Sequence, residues 1–375
     1  MMGTVVYLHG DRQLNRCVYI FDRLMISATL STLSALAIML ADISSLQAQS
    51  QDFWRSPTPH DLIVTTDNFD RAETDRIFAE LVKRSGLGRL IHNRELPTID
   101  SPLVRPNRDT LASGGVFDLN AGPVTITLPD VNERFVSMFV IDENHYIPVI
   151  SYGAGIYTLS REQIGTRYIY VGLRILLDPG NARDVRAVYA LQDAIQVEQE
   201  GGPGTFQVPT FDPVSRMRVH DVLFELGRNL VDTKRMFGAK DQVDPVRHLI
   251  GTAIGFGSTS EKEVLTLHVT PRKNDGVEIY KLTVKDVPVD GFWSVSVYNA
   301  EGHFVKNLLN AYTVNSTRAE QRDDGSVPIQ FGGCDGKIAN CLPTTPGWNY
   351  LVRLYRPRPE ILEGTWTFPE AQRLH

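Results

Sequence analysis

Apolar positions recur along the chain with two different periods, and the periods change over in blocks. Val124, Ile126 and Leu128 alternate with Thr125 and Thr127, the pattern of a strand with one buried face. Pro129-Asp130 turns it. Residues 135–141 are more continuously apolar, which predicts a central strand. Residues 146–152 and 168–177 are further strands, divided by Gly153-Ala154-Gly155 and closed by Asp178-Pro179-Gly180. The last third repeats the pattern at 264–269, 280–284, 292–298, 327–331 and 350–355. Short strands punctuated by turn residues predict a sandwich or jelly roll.

Helical spacing fills the remainder. Ile77, Phe78, Leu81 and Val82 form one apolar face, with Thr66 or Asp67 as the cap and Gly86 as the stop. Residues 96–110 read as a loop, because Pro97, Pro102 and Pro106 remove backbone donors. Between 182 and 257, Val185, Val188, Leu191, Ala194 and Ile195 mark one helix. Val219, Val222, Leu223, Leu226 and Leu230 mark a second, and Asp244-Pro245 opens a third.

The two β-rich blocks echo each other. Phe135-Val136-Ser137-Met138-Phe139-Val140-Ile141-Asp142, followed by His145-Tyr146, matches Phe292-Trp293-Ser294-Val295-Ser296-Val297-Tyr298-Asn299, followed by His303-Phe304. Tyr157-Thr158-Leu159-Ser160 matches Tyr312-Thr313-Val314-Asn315, and Leu173-Arg174-Ile175 matches Val352-Arg353-Leu354. The order is conserved, so the expected fold is mainly β: two jelly-roll-like β-sandwich domains joined by a helical segment. The expected boundaries are 49–181 for the first β-domain with its early helix, 182–257 for the helical connector and 258–375 for the second β-domain.

Composition narrows the class. A net charge of −6 without any basic run disfavours a nucleic-acid partner, since phosphate binding needs a concentrated basic face. Residues 25–46 are apolar and small, preceded by Arg16 and Arg23 and followed by Gln47-Ala48-Gln49. That is the layout of a secretory signal, so residues 1–48 are read as a signal peptide or over-long start, with Met25 an alternative start. An uncleaved anchor is the rival reading. The stretch is short and close to Asp42, so no stable membrane span is expected after its removal. A periplasmic or secreted location follows. In an oxidising compartment Cys334 and Cys341, which bracket a Gly/Asp/Asn turn, read as one local disulfide contributing ~2 kcal/mol. A metal pair is the alternative, but no third or fourth ligand lies nearby.

Known catalytic signatures are missing. The chain has no G-x-S-x-G elbow, H-E-x-x-H, P-loop or G-x-G-x-x-G, and no H-x-H pair among its nine histidines. What is present is a family pattern. Asn107-Arg108-Asp109-Thr110, Gly115-Val116-Phe117-Asp118-Leu119 and Ile141-Asp142-Glu143-Asn144-His145-Tyr146 resemble the domain of unknown function catalogued as DUF1254. Residues 290–299, Gly332-Gly333-Cys334-Asp335-Gly336, Pro346-Gly347-Trp348-Asn349-Tyr350 and Gly364-Thr365-Trp366-Thr367-Phe368-Pro369 resemble its usual companion, DUF1214. The resemblance spans nearly all of residues 55–370. It implies an exported bacterial protein with two jelly-roll-like domains, often a homo-oligomer, and no settled activity. One departure is Ala112, where relatives often carry an aromatic that would line a pocket.

On chemical grounds the catalytic candidates are Arg108, Asp109, Asp142, His145 and Tyr146. Arg108 offers a planar donor fork for a carboxylate or phosphate. Asp142 and His145 are close enough in sequence to orient one another for proton transfer, or to share a divalent metal with Asp109 or Glu143. The structural alternatives are an Arg108–Asp109 loop clamp, and a turn whose Asp, Asn and His satisfy local backbone groups. Candidate ligand contacts are Asn107, Tyr152, Arg174, Trp293, Asn299, His303 and Arg353. The tryptophans read mainly as core, with sugar stacking the minority use. Arg174 and Arg353 lie mid-strand, so each must meet a core carboxylate or face a cleft.

Three functions remain open from sequence. The first is a periplasmic enzyme acting on a small polar or saccharide substrate through an Asp/His/Arg centre. The second is a non-catalytic binding protein for carbohydrate or another cell-envelope ligand, and the third is a structural oligomeric subunit.

Overall fold

The computed structural model describes residues 61–97, 99–101 and 104–374, so the proposed signal lies outside the described residues. The fold is mainly β, as the alternating patterns imply. In the first lobe, β1 (Ile91–His92), β2 (Thr110–Asp118), β7 (Tyr168–Leu176), β4 (Val136–Asp142) and β5 (Val149–Tyr152) form one sheet in the order β1-β2-β7-β4-β5. Facing it is β6-β3-β8, built from β6 (Gly155–Leu159), β3 (Val124–Leu128) and β8 (Gln196–Glu198). In the second lobe, β9 (Val264–Val269), β11 (Trp293–Tyr298), β12 (Thr313–Asn315) and β15 (Asn349–Tyr355) are ordered β12-β11-β15-β9. Against them lie β10 (Tyr280–Val284), β13 (Val327–Phe331), β14 (Cys341–Leu342) and β16 (Gln372–Arg373), ordered β14-β13-β10-β16.

Strand pairing shows that the lobes repeat one topology. Ser137 pairs with Arg174 across β4 and β7, and Ser294 pairs with Arg353 across β11 and β15. Ala112 and Thr266 take the next place on the far side of those arginines. Two loop hydrogen bonds recur at matching positions. Leu176 N donates to Phe135 O as Tyr355 N donates to Phe292 O, and Leu177 N donates to Asp109 O as Arg356 N donates to Glu263 O. Strands β2 to β5 therefore correspond to β9 to β12, β6 to β13, β7 to β15 and β8 to β16.

This correspondence corrects two of the sequence echoes. The segment at Tyr157 lies in β6, on the smaller sheet, whereas that at Tyr312 leads into β12, which pairs with β11. The true counterpart of β12 is β5, with Tyr152 opposite Ser137 as Asn315 is opposite Ser294. The turn match also shifts by one. Asp142 N donates to Tyr146 O, and Asn299 N donates to His303 O, so His145 corresponds to Gly302 rather than to His303. Both residues have left-handed backbone, φ 66° and 89°; glycine adopts this freely, while histidine does so at a cost.

Strand β2 has no counterpart in the sequence-predicted elements, because small residues hide it. Gly115 lies where a Cβ would overlap Arg89 O, and Gly114 where one would overlap the Tyr170 ring and hydroxyl. The predicted strand over 146–152 begins only at Val149, since Tyr146 belongs to the turn.

The main sheets are buried on both faces, so β4, β11 and β15 are covered at every position. Inward residues of each sandwich make two separate cores, around Met138 and Val171 in one and Val295 and Val352 in the other. Outside the first sandwich, α1 (Phe69–Ser85), α4 (Pro213–Gly227) and α5 (Pro245–Ile254) pack on Phe139 and Ile141. Asp212 and Asp244 cap α4 and α5 through backbone N–H groups, each ahead of a proline. Two positions of the predicted α4 face, Val222 and Leu226, are exposed, and Leu223 carries the burial. A short helix, α2 (Arg161–Ile164), links β6 to β7, and the segment 182–257 also adds to the first lobe: α3 (Ala182–Asp193) packs Val188 on its core, and β8 pairs with β3. Cys334 and Cys341 form a disulfide. No helix among the described residues is long and apolar enough to cross a membrane.

Candidate functional site

The outward faces of the two main sheets meet each other, and several of the candidate residues stand there. Asp109, fully buried, accepts from Ser294 Oγ at 2.6 Å and Asn315 Nδ2 at 2.9 Å, both in the other lobe. Asn107 orients it, accepting from Asp109 N at 2.7 Å and donating to Tyr355 OH at 2.6 Å. Glu263 stands at the matching position of the second lobe and accepts from Tyr152 OH of the first. The two lobes thus exchange equivalent carboxylate bonds. Phe135 and Phe292 meet edge to face between them at 5.2 Å.

Arg108 does not pair with Asp109. It donates to Pro97 O and lies over the Tyr312 ring at 5.3 Å. Asp142, His145 and Tyr146 lie at the opposite end of β4 from Asp109. Asp142 is five residue steps along the strand from Ser137, roughly 16 Å. Asp142 accepts from Asn144 N and Tyr146 N at 2.8 and 2.9 Å, and Asn299 accepts likewise from His303 N at 2.8 Å. Burial pushes the Asp142 carboxyl up to about 6. His145 points into the helices, with Nδ1 3.0 Å from Thr74 Oγ1 and its buried Nε2 without a partner. Burial holds its imidazole down to about 3, with His248 adding to the effect. Tyr146 stacks on His248 at 4.4 Å. The structure therefore brings Asp142, His145 and Tyr146 together in one turn, apart from Arg108 and Asp109. Among the described residues no three His, Cys, Asp or Glu side chains are grouped to hold a metal ion.

The remaining candidates divide. Trp293 is core, edge-on to Phe368 at 5.9 Å. Asn299 and His303 build the turn described above. Arg174 donates to Gly257 O and lies over the Phe139 ring at 5.4 Å. Arg353 lines a cavity.

That cavity, of about 260 Å³, lies where β9 and β15 meet the α4–α5 pair and the loop before β2. Four cationic or titratable side chains line it: Arg105, Arg228, His268 and Arg353. No carboxylate does. Arg353, only 7% exposed, spends its terminal nitrogens on neutral oxygens: Ser296 Oγ at 3.3 Å, Tyr298 OH at 3.1 and 3.2 Å, and Arg105 O at 2.8 Å. Asp109 acts on it only through space. Arg105 is held in left-handed backbone, φ 50°, by that bond and by its own N–H to Gly302 O at 2.7 Å. Its Nε is buried with no partner. Desolvation, then the Arg353 and Arg228 charges, disfavour its charged form. Crowding by protein also lowers the His268 pKa, and Arg105 and Arg353 reinforce the shift.

Two roomier hollows are less suited to a charged ligand. One is bounded by Arg134, which is already paired with Asp184 at 2.5 Å, and the other by Arg318, which donates to Leu177 O at 2.9 Å. Sequence reasoning singled out Arg353 but missed Arg105 and His268. Alternation along β9 and β15 places Thr266, His268 and Arg353 on one face, a legible signal. Nothing local marks Arg105.

Fold and cavity together define a two-lobed β-protein with a cationic pocket against its helical segment. A family model described as "Protein of unknown function (DUF1254)" matches residues 87–153, and one described as "Protein of unknown function (DUF1214)" matches residues 270–359. One match falls in each lobe. Among solved structures, the VPA0106 protein of Vibrio parahaemolyticus is similar at 17% identity and a TM-score of 0.67. The match covers 83% of this chain and 98% of that one, a likeness of fold. An uncharacterised protein from Burkholderia cenocepacia matches at 13% identity and a TM-score of 0.49, over 89% of this chain and 96% of that one. No curated protein matches the sequence.

Proposed function

We propose that the chain is an exported ligand-binding protein whose pocket at Arg105 and Arg353 takes a small anionic molecule. One observation carries the reading: two largely buried guanidinium groups border a cavity that no carboxylate lines. Positive charge withdrawn from water is costly, and at Arg105, where no carboxylate offsets desolvation, an anion entering the cavity reduces that cost. Export is supported by the signal-like stretch at 25–46 and by the disulfide, which persists in oxidising compartments. A periplasmic or secreted setting and a homo-oligomeric state belong to the same reading.

The catalytic alternative rests on the raised Asp142 carboxyl and the neutral His145, whose Nε2 has no partner. It has less support, because neither residue borders any of the cavities described above.

The test is thermal unfolding of the purified protein with added benzoate, phosphate or glucose. An anion is expected to raise the Tm in the wild type, and the shift should vanish in Arg105→Gln. Equal stabilisation by glucose, or a shift untouched by that substitution, would refute the proposal.

A further inference from the structure

The lining of the same cavity has a second chemistry. Five apolar side chains also line it: Phe237, Leu351, Ile254, Val104 and Phe224. Three of these are open to solvent: Val104 at 51%, Phe224 at 38% and Ile254 at 39% exposed. Scattered exposed apolar residues are ordinary, but three around one opening make a patch. We propose that the ligand is an amphiphilic carboxylic acid, its head at Arg105 and its hydrocarbon tail against Phe224, Ile254 and Val104. This inference rests on the anion-binding reading and names its ligand class.

The donor count favours a single carboxylate over phosphate. The terminal nitrogens of Arg353 are occupied by Ser296, Tyr298 and the Arg105 carbonyl, so Arg353 is a positioning residue that also supplies field. Of the cations lining the cavity this leaves the Arg105 guanidinium, whose buried Nε has no partner, as the direct contact. One guanidinium fork matches the two oxygens of one carboxylate; a dianion with three acceptor oxygens calls for more positive charge. Arg228 adds little at the rim, since it is exposed and 3.3 Å from Glu225. The size agrees, because 260 Å³ falls just below the usual range for drug-sized ligands, roughly 300–1,000 Å³.

The experiment is titration calorimetry of the intact protein with acetate, butyrate, hexanoate and octanoate, and with inorganic phosphate. Affinity is expected to rise about fourfold for each methylene buried, until the tail leaves the mouth. The heat-capacity change should become more negative along the series. Phe224→Ala, at a half-open position, should flatten the chain-length slope. Arg105→Gln should weaken every acid. If acetate and phosphate bind as tightly as octanoate, the tail inference is overturned and the anion-binding reading stands. If none of the five probes binds, both fail.

Discussion

His145 concentrates several costs in one residue. Its backbone is left-handed, its ring is 1% exposed, and Nε2 has no partner. The groups facing it are Thr74 and Glu73 of α1, His248 of α5 and the Phe256 ring. Its folded-state pKa, about 3, lies below the ordinary 6.5, so the unfolded chain binds a proton first as the solution is acidified. Stability from His145 is thus complete above about 6.5 and drains away as pH falls toward 3, at up to about 1.4 kcal/mol per pH unit. Asp75 and Asp142 act oppositely. Burial raises both from 3.8 to about 6, so their contribution worsens as pH rises across that interval. Comparing urea unfolding of wild type and His145→Gln separates the two effects. The stability difference between them should move against the wild type from pH 6 to pH 4. A difference that is flat with pH would show that the ring does not titrate as argued.

Among the elements, β4 and β7 depend on one close approach. Gly172 leaves room for the Phe139 ring, and a Cβ there would overlap its edge. Gly172→Ala should cost about 1–3 kcal/mol by overpacking, and Phe139→Leu in the same chain should recover part of that loss. Additive losses in urea unfolding would contradict the steric account. Much of this level was legible in the sequence. The apolar run at 135–141 identified β4, the strand patterns at 292–298 and 350–355 identified β11 and β15, and the shared Ser–Arg register of the two lobes follows from the Leu173-Arg174-Ile175 and Val352-Arg353-Leu354 echo. Strand β2 was not legible, because its small residues record what approaches them and show no alternation of their own. Arg105 was not legible either. Its role depends on Arg353, 248 positions away, and on the backbone shape of a proline-punctuated loop.

For the whole molecule, the exchanged bonds at Asp109 and Glu263 tie the lobes together. Asp109→Ala leaves Ser294 and Asn315 buried without their acceptor, a loss of about 1–3 kcal/mol. Three of the four tryptophans, Trp293, Trp348 and Trp366, belong to the second lobe, so with Trp54 replaced by Phe tryptophan fluorescence follows that lobe while far-ultraviolet circular dichroism follows both. In the variant the two urea transitions should separate; coincident curves with an unchanged midpoint would refute the coupling. The reciprocity of this clasp has a further consequence. Two like bodies joined through matching faces are what a symmetric pair of subunits would be, except that here a covalent tether supplies the partner. Dilution, which dissolves ordinary dimers by mass action, has no hold on such a pair, because each half always meets the other at a fixed local concentration.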